Sequence, residues 1–269
     1  MAPGAACATR PLLPGRDGIH VLSARASIHG AGLTLHLAGT NAAPSPSRPL
    51  VLYGSGDGGW FGAATGMFEM IADGGYPAAG FSSRALLKIE QAGHAPVSGR
   101  HVAASYRIIL DAARRALGLP PDAPAVLTGW SRGASLAVLA ASEPDVDPAV
   151  TGIVAIGLPR EEQLDVEPGD DDDPAPSSAV AATAGGRDAA RNLLMYPLLA
   201  RVSPRRSAVV QASGDRYLQA AQARVLFGAD SETRRFFEVA AGNHRFGGGK
   251  DALRRALLDA IAWAGEERQ

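Results

Sequence analysis

An α/β architecture built on a mostly parallel central sheet is what this sequence predicts, on three observations. Short apolar runs of strand length alternate along the chain with longer stretches whose apolar residues recur at helical spacing. Strands that are parallel neighbours need crossover connections, so this rhythm places helices on both faces of one sheet. Finally, 269 residues with 46% apolar content suffice for one continuous core, so a single domain over residues 1–269 is expected.

Taken in order, residues 21–37 (VLSARASIHGAGLTLHL) alternate apolar and polar around Gly30 and Gly32, the pattern of an antiparallel hairpin at the entry edge of the sheet. The Pro/Ser-rich stretch 41–49 ends that pattern, and LVLY at 50–53 is a short buried-type strand bounded by glycine. Residues 62–72 are apolar at helical spacing, 76–81 form a weak strand, and 101–117 suit an amphipathic helix through Val102, Tyr106, Ile109, Leu110, Ala113 and Leu117. The cycle continues with a strand at 125–130, a Gly/Ala-rich helix, strands at 150–158, 207–213 and 236–240, and a closing helix ALRRALLDAIAWA. Between Pro159 and Pro204 the rhythm fails. Residues 160–205 are therefore expected to be a lid or irregular insertion, with the acidic run EPGDDDD a solvated loop rather than a metal site. Residues 1–18 are expected to be flexible.

Composition removes several classes of function. The 26 basic and 27 acidic residues nearly cancel and no basic block occurs, so nucleic acid is not an expected partner. No stretch reaches the roughly 18 consecutive apolar residues a bilayer span needs, and the chain reads as soluble. The first residues lack the charged and apolar regions of a secretory leader. Cys7 is the only cysteine, so no internal disulfide forms, and an incidental thiol is its expected status. There is no internal repeat, and the oligomeric state is not encoded in any pattern.

The strongest chemical signal is Gly129-Trp130-Ser131-Arg132-Gly133, directly after the strand AVLT and directly before a helix. In that context G-x-S-x-G makes a tight turn that lifts the serine hydroxyl above the sheet at a helix N-terminus. A serine is a weak nucleophile until a base takes its proton. Asp215 follows a later strand and His244 the next, giving the order Ser, Asp, His that belongs to the α/β-hydrolase fold. The other histidines, His20, His29, His36, His94 and His101, all precede Ser131. Those in the hairpin are expected to face solvent, and a pocket position for His94 or His101 is the less favoured reading. Acyl transfer also needs oxyanion donors. The backbone N–H of Arg132 and that of Asp57, in the loop Gly54-Ser55-Gly56-Asp57-Gly58-Gly59-Trp60, are the candidates, with Ser55, Gly56, Trp60 and Trp130 expected to line the substrate pocket. That loop is not a phosphate cradle, because no Gly-Lys-Ser/Thr closes it.

The strings GSGDGGW (54–60), GYPAAGFSS (75–83), GWSRGA (129–134) and AGNHRF (241–246) resemble the VirJ/AcvB family of bacterial α/β-hydrolases over roughly residues 50–263. The resemblance implies an oxyanion role for Asp57, a nucleophile at Ser131 and the catalytic histidine at His244. It departs at Asn243-His244-Arg245, where the family doubles the histidine, and after Ser83, where the family's aromatic pair is missing. It also implies export to the periplasm after removal of a leader, the chain otherwise being cytoplasmic, and a substrate among aminoacyl-phospholipids such as lysyl-phosphatidylglycerol. The resulting expectation is a serine hydrolase acting on a small-molecule or lipid-head-group ester, with no metal or organic cofactor. The alternatives are a hydrolase-fold binding or scaffolding protein of the cell envelope without turnover, or the same fold turned to amide, thioester or acyl-transfer chemistry.

Overall fold

The computed structural model describes residues 19–40, 48–94, 96–164 and 192–266. The predicted hairpin is β1 (Ile19–Ile28) and β2 (Ala31–Thr40), joined by His29-Gly30 with both residues at positive φ, 50° and 80°. That backbone matches the twist of a tight two-residue hairpin.

The alternating part follows as β3 (Leu50–Gly54), α1 (Ala63–Asp73), β4 (Ala78–Phe81), α2 (Ser83–Gly93), α3 (Gly99–Leu117), β5 (Ala125–Trp130), α4 (Arg132–Ala141) and β6 (Val150–Ile156). A small ribbon of β7 (Glu161–Glu162) and β8 (Leu193–Leu194) leads into α5 (Met195–Val202), and the chain finishes with β9 (Arg206–Ala212), α6 (Ala220–Phe227), β10 (Arg234–Val239) and α7 (Lys250–Gly265). Eight strands form one sheet in the order β1-β2-β4-β3-β5-β6-β9-β10. From β4 to β10 every neighbouring pair is parallel, and β2 pairs antiparallel with both β1 and β4.

The central strands bury both faces. Leu50, Leu52, Ala125 and Leu127 point into one core with α3, α4 and α5, whereas Val51, Tyr53 and Val126 point into a second core with α1 and α7. Burying each such aliphatic side chain contributes about 1.5–3 kcal/mol before entropy is counted. The fold therefore rests on two apolar layers with the sheet between them, and the loops at the C-terminal strand ends are left to carry chemistry.

Three helices lie outside the sequence reading. In α2, the Ser82 side chain accepts a hydrogen bond from the Ala85 N–H at 3.2 Å, a regular N-cap. Of the segment 160–205, residues 165–191 lie outside the described residues; Met195, Tyr196, Leu199 and Val202 of α5 are core residues packed on the α4 side. The acidic run, the expected flexible start and Cys7 lie outside the described residues. Among the described residues no helix is long and apolar enough to cross a membrane.

Candidate active site

At the C-terminal end of β5 the chain turns into α4 through Ser131, which takes φ 55° and ψ −120°. A non-glycine residue held there is strained by the order of 1–3 kcal/mol, and surrounding structure must hold it. The Ser131 N–H donates to the Ile156 carbonyl at 2.9 Å, and the Ala134 and Ser135 N–H groups donate back to the Ser131 carbonyl. The flanking glycines are sterically required. A Cβ on Gly129 would lie 2.3 Å from the Gly133 carbonyl carbon, and one on Gly133 would lie 2.1 Å from the Gly54 carbonyl oxygen.

The next two strand ends bring in the expected acid and base, Asp215 and His244. Asp215, which follows β9 after Ser213-Gly214, is fully buried, and its Oδ2 lies 2.6 Å from His244 Nδ1. The Gln211 amide donates to the same Oδ2 at 3.0 Å and to the Leu218 carbonyl at 2.7 Å, while the Tyr217 N–H donates to Oδ1 at 2.9 Å. Asp215 is thus held as an acceptor by the Gln211 amide and the Tyr217 N–H, beside the His244 ring. Burial, and then the Asp215 charge, push the Tyr196 hydroxyl far above the usual phenol range, so it stays protonated beside the acid.

His244 sits in the loop between β10 and α7. The Asn243 side-chain oxygen accepts the N–H groups of Arg245 and Gly247, each at 3.0 Å, and buried Phe246 takes φ 57° to close the turn. The Trp130 indole N–H donates to the His244 carbonyl at 3.1 Å, with the two rings 5.3 Å apart. Tyr217 meets the imidazole edge-on at 4.9 Å. Gly157 allows this approach, since a Cβ there would lie 2.9 Å from the imidazole Cε1. Ser131, Asp215 and His244 are therefore brought to one edge of the sheet. The described hydrogen bonds join His244 to Asp215 and not to the Ser131 hydroxyl, a contact that often tightens only when substrate is bound.

The glycine loop after β3 packs against this elbow. A Cβ on Gly56 would lie 3.0 Å from the Trp130 ring and 3.6 Å from the Ser131 Cβ. Two expected pocket residues are used differently. Ser55 has no exposed surface, and its hydroxyl accepts the Ser83 N–H at 3.2 Å, so it fixes the loop to the start of α2. Trp60 lies over Gly80, where a Cβ would be 2.0 Å from its ring, and stacks on His36 at 4.3 Å. Both residues hold the loop in place, Ser55 through its hydroxyl and the half-buried Trp60 through its stacked ring. Trp130 is buried as the clamp on the His244 loop.

Arg132 is the least expected feature. As the first helical residue of α4 its N–H has no partner within the helix, while its side chain is almost buried. The guanidinium Nε contacts the Asp57 carboxylate directly, and another guanidinium nitrogen lies 3.3 Å from Glu162 of β7. Burial pushes the Glu162 carboxyl above its ordinary value, the Arg132 charge opposes that shift, and the Asp57 charge reinforces it. Gln211, Tyr217 and Glu162 escape sequence reasoning. Of the three, only Gln211 had a usable signal, a polar residue inside an otherwise apolar strand.

No protein-family model and no curated protein matches this sequence. Solved structures do match it. The esterase domain of a Rhodothermus marinus protein is 18% identical with a TM-score of 0.58, over 91% of this chain and 98% of that one. A cold-adapted esterase from an Arctic intertidal metagenomic library is 12% identical with a TM-score of 0.60, over 94% and 97%. A dienelactone hydrolase from Anabaena variabilis is 14% identical with a TM-score of 0.57, over 90% and 96%. With the sheet order and the N-terminal hairpin, these likenesses give the chain the α/β-hydrolase fold. The VirJ/AcvB resemblance rests on the sequence strings alone.

Proposed function

We propose that this chain hydrolyses carboxylic esters through an acyl-enzyme formed on Ser131. The observation that carries the proposal is the 2.6 Å His244–Asp215 pair standing at the same sheet edge as a serine held at positive φ. Those features are needed together for an activated nucleophile, and no packing requirement of the fold explains them together.

In this mechanism the Ser131 Oγ attacks the ester carbonyl carbon while its proton passes to His244 Nε2. Asp215, fixed by Gln211 and the Tyr217 N–H, keeps the Nδ1 proton facing it and stabilises the imidazolium. The carbonyl oxygen takes up negative charge and is received by the Arg132 and Asp57 N–H groups. The intermediate collapses, the C–O bond to the alcohol breaks, and the alcohol leaves with the proton from His244. Water then attacks the acyl-enzyme with His244 again as base, releasing the acid and restoring the Ser131 hydroxyl.

The titratable groups this route needs are all side chains of the chain itself. The structural neighbours are esterases and a dienelactone hydrolase, which supports an ester substrate, and the VirJ/AcvB-like strings extend the proposal to aminoacyl-phospholipids such as lysyl-phosphatidylglycerol.

The test is Ser131→Ala, which should lower kcat for p-nitrophenyl acetate by roughly 10⁴- to 10⁶-fold and leave the circular dichroism unchanged. Labelling of the parent, and not of the variant, by a fluorophosphonate probe is the matching result. A parent protein that neither takes the probe nor turns over short esters or lysyl-phosphatidylglycerol would instead be the non-catalytic binding protein.

A further inference from the structure

Away from the elbow, where the β1–β2 turn meets the end of α2, three side chains converge with no role in the reaction above. His29 Nε2 lies 3.4 Å and His94 Nε2 3.9 Å from Oε2 of Glu90, and the three ligand atoms all fall within 4.8 Å of one another. Glu90 has no exposed surface, its Oε2 accepts no hydrogen bond, and its Oε1 is taken by the Ser105 hydroxyl. A buried carboxylate oxygen without a donor is uncommon, because desolvating it is costly. Imidazoles at these distances are too far for the charge-assisted hydrogen bonds of roughly 2.7–2.9 Å that would satisfy it.

We propose that His29, Glu90 and His94 form a binding site for a divalent transition-metal ion of the zinc class. Ligand atoms about 2.0–2.2 Å from a tetrahedral ion stand roughly 3.3–3.6 Å from one another, so the observed spacing needs only a small inward movement of the rings. Two imidazoles and one carboxylate suit zinc, cobalt or nickel and not calcium or magnesium, which take oxygen ligands. The carboxylate is at the buried end and the rings are at the rim, 38% and 30% exposed, so an ion can enter and a fourth position faces solvent.

The surroundings hold the ligands in place. His94 stacks on His101 at 3.6 Å, and His101 is itself fixed because its Nδ1 accepts the Ser98 N–H in the α3 cap. Gly93 leaves room for the His29 ring, which a Cβ would approach to 3.1 Å. Glu90 is oriented by Ser105 of α3, the kind of outer partner that sets ligand geometry. His94 caps the C-terminal end of α2, where the helix dipole favours a cation. An ion here ties the hairpin tip to α2 and, through Ser105, to α3. The site is independent of the proposed hydrolysis, since α2 starts at Ser83 beside the elbow loop and its 11 residues separate the two ends by roughly 16 Å.

The test uses untagged full-length protein stripped with a chelator. Calorimetric titration with Zn²⁺ should give one equivalent bound, Tm should rise with free Zn²⁺, and Co²⁺ should produce the visible absorption of a low-symmetry site. His29→Asn, which tolerates the positive φ, and His94→Gln should each weaken binding roughly 10- to 100-fold or more with unchanged circular dichroism. Should one variant misfold, the other carries the comparison. Absence of Zn²⁺ binding in the micromolar range, or binding of the same affinity in both variants, overturns the proposal.

Discussion

Replacing Gly133 by alanine should damage stability and turnover together, through one contact. The added Cβ would lie 2.1 Å from the Gly54 carbonyl oxygen and 2.6 Å from that of Ser55, both backbone atoms at the C-terminal end of β3. β3 cannot yield, because Gly54 is paired with Phe81 of β4 on one side and Gly129 of β5 on the other. The start of α4 must therefore withdraw by about 1 Å to reach ordinary van der Waals contact. Overpacking of this kind costs about 1–3 kcal/mol, and each kcal/mol lowers Tm by roughly 2–4 °C in a domain of this size. The same withdrawal moves the Arg132 N–H and Ser131 relative to the Asp57 loop, and a 1 Å misplacement of reacting groups lowers turnover by the order of 10²-fold. Thermal unfolding and p-nitrophenyl acetate hydrolysis, measured well below the variant's Tm, give the two numbers. A Gly133→Ala protein with parental Tm and parental kcat/KM would refute the steric account of the elbow.

Three further substitutions test other parts of the structure. Asp147→Ala leaves the buried Arg114 guanidinium without the carboxylate it meets at 2.6 Å and should destabilise by about 3–5 kcal/mol in urea titration, since the Ala123 carbonyl at 2.8 Å carries no charge and the exposed Asp111 carboxylate stands off at 3.8 Å. Glu162 binds its proton more tightly folded than unfolded, so its contribution is full below the ordinary carboxyl value of 4.5 and is lost as pH rises through the higher folded value; Glu162→Gln should flatten that decline in urea midpoints, and an unchanged slope would exclude it. Gly66→Ala in α1, where a Cβ meets nothing within 4 Å, should stabilise by about 0.5–1 kcal/mol and raise Tm without altering turnover.

The strands and the order of the site residues are legible in the sequence because their signals are local. LVLY and AVLTGW are apolar because both faces of a central strand are covered, and the elbow must contain Gly129 and Gly133 because backbone crosses at both. What escaped depends on contacts between distant residues. α5 and α6, at eight residues each, are too short for helical periodicity to stand out, whereas α2 carried its Ser82 cap in plain view. His36 was expected to face solvent as one edge-hairpin residue among others. β2 also pairs with β4, however, so Trp60 covers His36, and burial lowers its pKa. Ser55 in a glycine loop looks available until Ser83 takes its hydroxyl.

Arg132 illustrates why a residue that the elbow motif leaves open is not free to vary in this chain. Its N–H is the proposed oxyanion donor, and any residue but proline supplies that. Its guanidinium, however, contacts Asp57 in the glycine loop, lies 3.3 Å from Glu162, and donates to the Gln163 carbonyl at 3.4 Å. A planar fork can meet acceptors in three directions at once, which a lysine ammonium on a single stem does less well. The side chain thus holds the loop bearing one proposed oxyanion donor against the helix bearing the other, and it does so from beside the proposed nucleophile. Burial raises the Glu162 carboxyl on the β7 side of this cation, the Arg132 charge opposes that shift, and the Asp57 charge adds to it. The cation has Asp57 as its closer partner, and the spacing of the two proposed donors is set by packing among three segments that no single sequence motif contains.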